Sequence, residues 1–431
     1  MKRRLICLLL CCALLAGCGA SSAESQPLPV LTICTDAEAN HAFGQALQAL
    51  AREHSGEYEF DFITLPGDDN LTREDEALQG QLARLRTQIM SGRGPDLFLC
   101  SGGGNALFTD PQKMMRAGVF ADLAPYMDDF SAGRQLNEAV LAAGRAEGVQ
   151  YVLPLTFTVG ALLTDAETAG AIAAQTTGCT APADFLGAVW QMTSDDPLAM
   201  ITLADMLNSL CAQPAVDYDS KTAALDEEGR ALLALAAQVE SACEAAGVQG
   251  ELAVTAQRPF VLIAAGGRGT GDMGAHTRHV LALGRTPALV PVPNGSGGVT
   301  ASVGVYGGIR ANSPHAALAA RILEQLLGQA AFAPASGASF FFPLDSALCP
   351  TLARQAAEAQ AAFFSSGTSL SDTSPLADQW AAAADAVNAA HFAAPAARSL
   401  WQAAAEVSTG RATVDEAAAA FAADYRFYFD E

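Results

Sequence analysis

Apolar residues recur along this chain with two alternating periods. Leu31-Thr-Ile-Cys-Thr35 reads as a short strand, and Phe43, Leu47 and Leu50 then share one face of a helix. Tyr58-Glu-Phe-Asp-Phe62 alternates strictly, as a half-buried strand does. Leu78, Leu82, Leu85 and Ile89 recur at spacings of 4, 3 and 4, the stripe of an amphipathic helix. Ser91-Gly-Arg-Gly-Pro95 breaks that helix, and Leu97 to Cys100 is the next strand. This order of strands and helices predicts an α/β fold with a parallel sheet covered by helices. In such sheets ligands bind outside the carboxyl ends of the strands. The candidates there are Asp36 and Glu38 after the first strand, and Ser101, Gly102, Gly103 and Asn105 after the third. Asp36 serves equally well as a helix N-cap, and the Gly102–Gly104 run equally well as a tight turn.

Further along, Tyr151-Val-Leu-Pro-Leu-Thr-Phe157 is an extended run interrupted by Pro154. An Ala-rich helical stretch with weaker amphipathicity follows. Arg258 to Ala264, Ala288 to Pro293 and Ala301 to Ile309 read as strands. Ser313-Pro314 caps a helix lined by Leu318, Ile322 and Leu326, and Ser374-Pro375 repeats the cap. Thr413-Val-Asp-Glu416 is a capping box that opens a final helix running toward Phe429. There is no internal repeat.

The N-terminus has a different character. Lys2, Arg3 and Arg4 precede the apolar run Leu5 to Leu15, which ends in Leu15-Ala-Gly-Cys18, the pattern of a bacterial lipobox. The run is shorter than the ~20 residues that span a bilayer and fits a removable signal. Residues 1–17 are expected to be cleaved and Cys18 to carry the lipid. An ordinary secretory signal with an incidental Cys18 is the alternative. Residues 18–30 lack a period and read as a lipidated tether, reaching roughly 20 Å. This places the protein on the extracytoplasmic face of a cell membrane.

Composition narrows the picture. Hydrophobic residues make up 51%, enough for sizeable cores, and the length allows two or more domains. The net charge is −22, and loss of the basic signal makes the remainder more acidic still. That argues strongly against nucleic-acid binding, which needs clustered Lys and Arg, and against an electrostatic grip on anionic lipid. Beyond the signal and Cys18 lie Cys34, Cys100, Cys179, Cys211, Cys243 and Cys349, without metal-like spacing. Their pairing is open. Cys34 and Cys100 lie in strand-like runs, where a buried thiol acts as a small hydrophobe.

Several segments resemble the family 1 extracellular solute-binding lipoproteins, maltose-binding-protein-like capture subunits of ABC importers. Arg84-Leu-Arg-Thr-Gln-Ile-Met-Ser-Gly-Arg-Gly-Pro-Asp96 is similar to that family's helix followed by a GxGPD strand entry. Ala117 to Tyr126 resembles its G-x-F-x-DL-x-PY segment, and Gly410 to Ala417 its C-terminal helix. Val152 to Phe157 and Val303 to Leu327 sit where such proteins cross between lobes. The resemblance implies a two-lobed periplasmic-binding-protein-like fold with a hinge and an interlobe cleft. Residues 31–156 with 288–328 would form lobe 1, and 157–287 with 329–431 a helix-rich lobe 2. It further implies a monomer that takes a small solute, by family default a carbohydrate, and passes it to ABC permease subunits, without a cofactor. Phe157, Thr158, Tyr306 and Phe341 become candidate cleft contacts on this reading.

Other motifs weigh less. Gly269-Thr-Gly-Asp-Met-Gly274 matches GxGxxG but lacks Rossmann context; a cleft-side loop is the simpler reading, with Arg268 beside it a candidate contact. His276 and His279 lack a supporting metal pattern and are expected on a solvated surface. Trp190, Trp380 and Trp401 are all expected in the core, which leaves the sugar assignment without a sequence-visible stacking platform. No G-x-S-x-G elbow is present. The expectation is therefore a binding protein rather than an enzyme. A membrane-anchored glycan hydrolase with two carboxylates across a cleft and a non-transport surface lipoprotein are the alternatives.

Overall fold

The predicted alternation of strand and helix builds the first sheet in a computed structural model that describes residues 28–65, 76–193, 196–247, 258–265, 271–328, 341–355, 374–394 and 396–429. Strand β1 (Val30–Thr35) leads through helix α1 (Ala37–Glu53) to β2 (Glu59–Thr64), and α2 (Glu76–Met90) leads to β3 (Leu97–Ser101). Strand β1 lies between β2 and β3, parallel to both, with Ile33 opposite Phe62 and Leu97. Phe43, Leu47 and Leu50 form the buried face of α1, as their spacing predicts.

Asp96, which closes the GxGPD segment, knits this sheet. Its carboxylate accepts from the Thr32 amide (3.2 Å), the Ser313 hydroxyl (2.7 Å) and the Arg310 guanidinium (3.1 Å). Arg310 also donates to the carbonyls of Gly92, Pro95 and Asn312, so this buried ion pair is fully hydrogen-bonded. Ser313 additionally accepts from the His315 amide, and its helix starts at Ala316.

The chain continues through α3 (Pro111–Arg116), α4 (Glu138–Ala143) and the hairpin of β4 (Arg145–Ala146) and β5 (Val149–Gln150) to β6 (Val152–Pro154). After Leu155 it enters β7 (Thr156–Asp165), the ten-residue spine of the second sheet. Helices α5 (Ala166–Gln175), α6 (Pro182–Met192) and α7 (Leu203–Leu210) follow, then the hairpin β8 (Val216–Asp217) and β9 (Thr222–Ala223), and α8 (Glu227–Ala245). Strand β10 (Phe260–Ala265), helix α9 (Gly271–Ala282), β11 (Pro287–Pro291) and β12 (Val299–Val303) come next, and all three strands run antiparallel to β7.

After Gly304 the chain returns to the first sheet as β13 (Val305–Ile309), antiparallel to β3 and β6, and as α10 (Ala316–Gly328). The first sheet has the order β2-β1-β3-β13-β6. Strand β14 (Phe342–Pro343) pairs with the start of β7, and α11 (Ser374–Asp385) leads to β15 (Val387–His391), parallel to β12. Helices α12 (Ala396–Ser408) and α13 (Val414–Tyr428) complete the second lobe. The Thr413 hydroxyl accepts from the Glu416 amide while the Glu416 carboxylate accepts from the Thr413 amide, the capping box read from the sequence.

The return to the first sheet comes later than the boundary at residue 288. Strands β11 and β12 are hydrogen-bonded to β7, so residues 287–303 belong to the second sheet. The crossings lie side by side. Leu155 donates to Val305 (2.8 Å), Gly304 to Thr156 (2.9 Å) and Leu344 to Leu155 (3.0 Å), all through backbone. One apolar layer passes through this junction, from Leu31 and Phe43 by way of Phe157 to Leu289 and Trp380. Separate cores cover the outer faces of the two sheets.

Two side-chain expectations change. Trp380 is buried, but Trp401 is 45% exposed on α12. His276 is fully buried, not solvated, because its face of α9 turns inward. Burial pushes its pKa down to about 4, and the neighbouring His279 adds to this. All six cysteines of the described residues are free, with Cys34 and Cys100 buried as small hydrophobes. Among the described residues no helix is long and apolar enough to cross a membrane, and no group of His, Cys, Asp and Glu is placed to hold a metal ion.

Candidate ligand cleft

Two short elements from different lobes face each other across the molecule. In the first lobe Asp110 caps α3 by accepting from the Lys113 amide (3.1 Å), with Pro111 starting the helix. The three-residue spacing then puts Lys113 and Arg116 on one face. In the second lobe the Asp217 carboxylate accepts from the amides of Asp219 and Ser220 and from the Ser220 hydroxyl. The Ser220 hydroxyl bond, with these amides, lowers the Asp217 pKa against its burial. This Asx turn, closed by Lys221 at a positive φ of 51°, presents Tyr218 and Asp219 outward. The end of α13 supplies Tyr428 and Phe429, and Phe429 meets the Tyr218 ring edge-on at 5.4 Å.

These elements touch across the lobes. Arg116 pairs with Asp219 at 2.5 Å and lies 5.0 Å over the Tyr218 ring. Lys113 donates to the Tyr428 carbonyl (3.1 Å) and lies 4.4 Å over the Tyr428 ring. The hydroxyls of Tyr218 and Tyr428 both donate to one oxygen of buried Asp110, the latter at 2.9 Å. Burial raises the Asp110 pKa, and the Lys113 amide and Tyr428 hydroxyl pull it back.

A cavity of ≈ 440 Å³ lies among these groups, walled by Lys113, Arg116 and Glu147 from the first lobe and by Tyr218, Lys221 and Tyr428 from the second. A smaller one of ≈ 170 Å³ adjoins it between Gln112 and Arg145 on one side and His391 and Phe392 on the other. His391 is held there by the carbonyls of Cys211 and Ala212; burial lowers its pKa, and these bonds oppose that. A third cavity of ≈ 360 Å³ lies beneath the β8–β9 hairpin, among Leu207, Cys211, Leu225 and Leu400, within the second lobe alone. Rings with apolar faces, ringed by charged and hydroxyl groups, suit a solute with one apolar face and a polar rim.

Most residues expected at the strand ends serve the framework instead. Asp36 is 2% exposed and caps α1 through one oxygen, while the other accepts from the Ser101 amide (2.6 Å) and the Asn105 side chain (2.8 Å). Asn105 is buried and also accepts from the amides of Leu107 and Phe108. Gly102 is buried because the crossing strand passes over it. A Cβ there would meet the Val303 carbonyl oxygen at 2.0 Å, and its amide donates to Gly304 (2.7 Å). Gly103 is exposed and donates to the Ser101 hydroxyl, and Glu38 is half-buried on α1.

Phe157 is 1% exposed and stacks on Phe342 at 5.3 Å, and Phe341 is equally buried. Thr158 pairs with Ser302 within the sheet. Tyr306 is fully buried between the edges of Phe120 and Phe392, which raises its pKa far above the ordinary value. Phe157, Phe341 and Tyr306 are core, corrections that follow from their place where the sheets join, while Thr158 is half-buried. Arg268 and Cys18 lie outside the described residues. Sequence reasoning missed Lys113, Arg116, Tyr218 and Tyr428. The Asp110-Pro111 cap and the Asp217-Tyr-Asp-Ser220 turn were the readable signals.

Neither a family model nor a curated protein sequence matches the chain. Solved structures do. The sugar-binding protein MalE from Xanthomonas citri aligns with TM-score 0.63 at 12% identity, covering 93% of this chain and 97% of its own. An extracellular solute-binding protein family 1 from Alicyclobacillus acidocaldarius aligns at 0.55 and 15%, covering 95% and 100%. The GacH receptor of Streptomyces glaucescens, solved unliganded and with acarbose, aligns at 0.52 and 16%, covering 94% and 100%. At such identities the likeness is one of fold, and the fold of this chain is that of the two-lobed family 1 extracellular solute-binding proteins.

Proposed function

We propose that this chain captures a saccharide outside the cytoplasm, tethered to a membrane by lipid on Cys18, and passes it to the permease subunits of an ABC importer. The observation that carries the reading is a cavity whose wall is divided between two lobes joined through adjacent crossings. A solute there touches both lobes at once, so it favours their closed arrangement over an open one. The Tyr218, Tyr428 and Phe429 rings supply the apolar platform that the tryptophans do not, since Trp380 is buried in the core. The structural likeness to a sugar-binding MalE and an acarbose-binding receptor supports the saccharide. The Leu15-Ala-Gly-Cys18 pattern supports the anchor.

A thermal-shift screen of the full chain against oligosaccharides, amino acids and polyamines tests the capture. A saccharide at a hundred times its Kd should stabilise the fold by about 2.7 kcal/mol, and Tyr218→Ala should abolish that shift. If no saccharide moves the melting temperature, the reading is overturned. Cys18→Ser should move the chain from the membrane to the soluble fraction or leave it unprocessed; processed protein still on the membrane would overturn the anchor.

A further inference from the structure

We infer that the captured saccharide carries an anionic group, a carboxylate or a sulfate, placed between Lys113 and Lys221. This rests on the saccharide-binding reading and specifies its substrate class. The chain holds 46 acidic residues against 24 basic ones, so a wall drawn at random would carry about two acids per base. The interlobe cavity reverses that ratio: Lys113, Arg116 and Lys221 face Glu147 and Asp219.

The carboxylates are also largely committed. Asp219 is neutralised by Arg116 at 2.5 Å, and Asp110 behind the wall is occupied by the hydroxyls of Tyr218 and Tyr428. Asp217, nearby on the hairpin, is occupied by its own turn. The lysines are not matched in this way. Lys113 donates to a carbonyl, and among the described residues neither Lys113 nor Lys221 forms an ion pair with a carboxylate. With Arg116 and Asp219 paired, the residues that line the cavity leave two lysines against one glutamate, inside a protein of net charge −22, while the charges of Asp110 and Asp217 behind the lining are held in their own hydrogen bonds. An ammonium that pairs with no carboxylate in the cleft gains a charge-assisted hydrogen bond from an anionic solute, and such bonds are about twice as strong as neutral ones. Long-range repulsion from the acidic surface does not cancel this, because it is screened beyond about 8 Å at physiological salt.

Calorimetry on the full chain with maltotriose, trigalacturonate and 6-O-sulfated maltotriose tests the inference. The expected result is that one of the two anionic trisaccharides binds at least tenfold tighter than maltotriose; which of them does so identifies the group. Lys221→Gln, on an exposed turn, should bring the anionic-to-neutral affinity ratio to within about threefold of unity with the melting temperature unchanged. Lys113→Gln should bring the ratio to the same range. Maltotriose binding as tightly as both anionic sugars would overturn the inference and leave saccharide capture standing. Failure of all three to bind would overturn both. A ratio that survives both lysine substitutions would also overturn it.

Discussion

Gly102 separates two accounts of the loop after β3, and its replacement by alanine decides between them. A loop without side chains suggests backbone laid against a ligand, whereas the geometry lays it against the crossing strand. A Cβ at Gly102 would sit 2.0 Å from the Val303 carbonyl oxygen and 2.8 Å from its carbon. Real contacts of this kind do not fall below 3.0 Å, so the strands must part by on the order of 1 Å. The Gly102 amide bond to Gly304, now 2.7 Å, would then stretch past the limit of a hydrogen bond. Overpacking costs about 1–3 kcal/mol and the lost buried bond about 1 kcal/mol more, giving about 2–4 kcal/mol for Gly102→Ala. An unfolding entropy of about 2.1 cal/mol/K per residue gives about 0.9 kcal/mol per degree over 431 residues. The melting temperature should therefore fall by about 2–4 °C in calorimetry. Gly103→Ala is the control: its Cβ would meet only the Ser101 hydroxyl at 3.5 Å, so melting should stay within half a degree. If Gly102→Ala melts like the parent but loses solute affinity, the loop faces the ligand and the crossing argument is wrong.

Acid should weaken the fold through His276. Its folded pKa of about 4 lies below the ordinary 6.5, so the fold holds the ring neutral. That stability is complete above pH 6.5 and is lost as the pH falls toward 4, by about 3 kcal/mol in all. His276→Leu should flatten the denaturation midpoint over this range, and an unchanged acid slope would refute the assignment. Arg310→Ala should cost about 3–5 kcal/mol, because it strands the buried Asp96 carboxylate; a loss under 1 kcal/mol by urea unfolding would contradict that. Tyr306→Phe should keep or slightly raise stability, since the Tyr306 hydroxyl has no oxygen or nitrogen partner among the described residues. It should leave solute affinity within twofold, and a tenfold loss would return Tyr306 to the cleft.

Periodicity made the first lobe legible because it reports how an element packs on its own sheet. Strands β1 to β3, the inner face of α1 and the capping box of α13 all fall where their patterns put them. The motif ending in Asp96 was legible as a resemblance, and its physical content is the buried pair with Arg310, 214 residues away. His276 was misplaced because α9 carries only three large apolar residues, Met273, Val280 and Leu281, and so offers little contrast between an inner and an outer face. The cleft was hidden for a related reason. Its walls are the six-residue α3, a two-strand hairpin and one helix end, each too short for a period, and they meet over separations of 103 to 318 residues.

The strand ends are filled by backbone, and the way they are filled explains where the interlobe cavity opens instead. Asp36 at the end of β1 satisfies the amide of Ser101 at the end of β3, so the two strand ends bind each other. Gly304 and the Ala394 amide then close over Gly102 from the second lobe. Backbone thus fills the space in which a strand-end ligand would sit. The open space moves sideways to the next segment of the same loop, where Asp110 caps α3 and turns Lys113 and Arg116 toward the second lobe. The loop after β3 therefore contributes to the interlobe cavity through Lys113 and Arg116 rather than through Ser101, Gly102, Gly103 and Asn105. The part that the crossing strands cover is framework, and the part that runs past them lines the cavity.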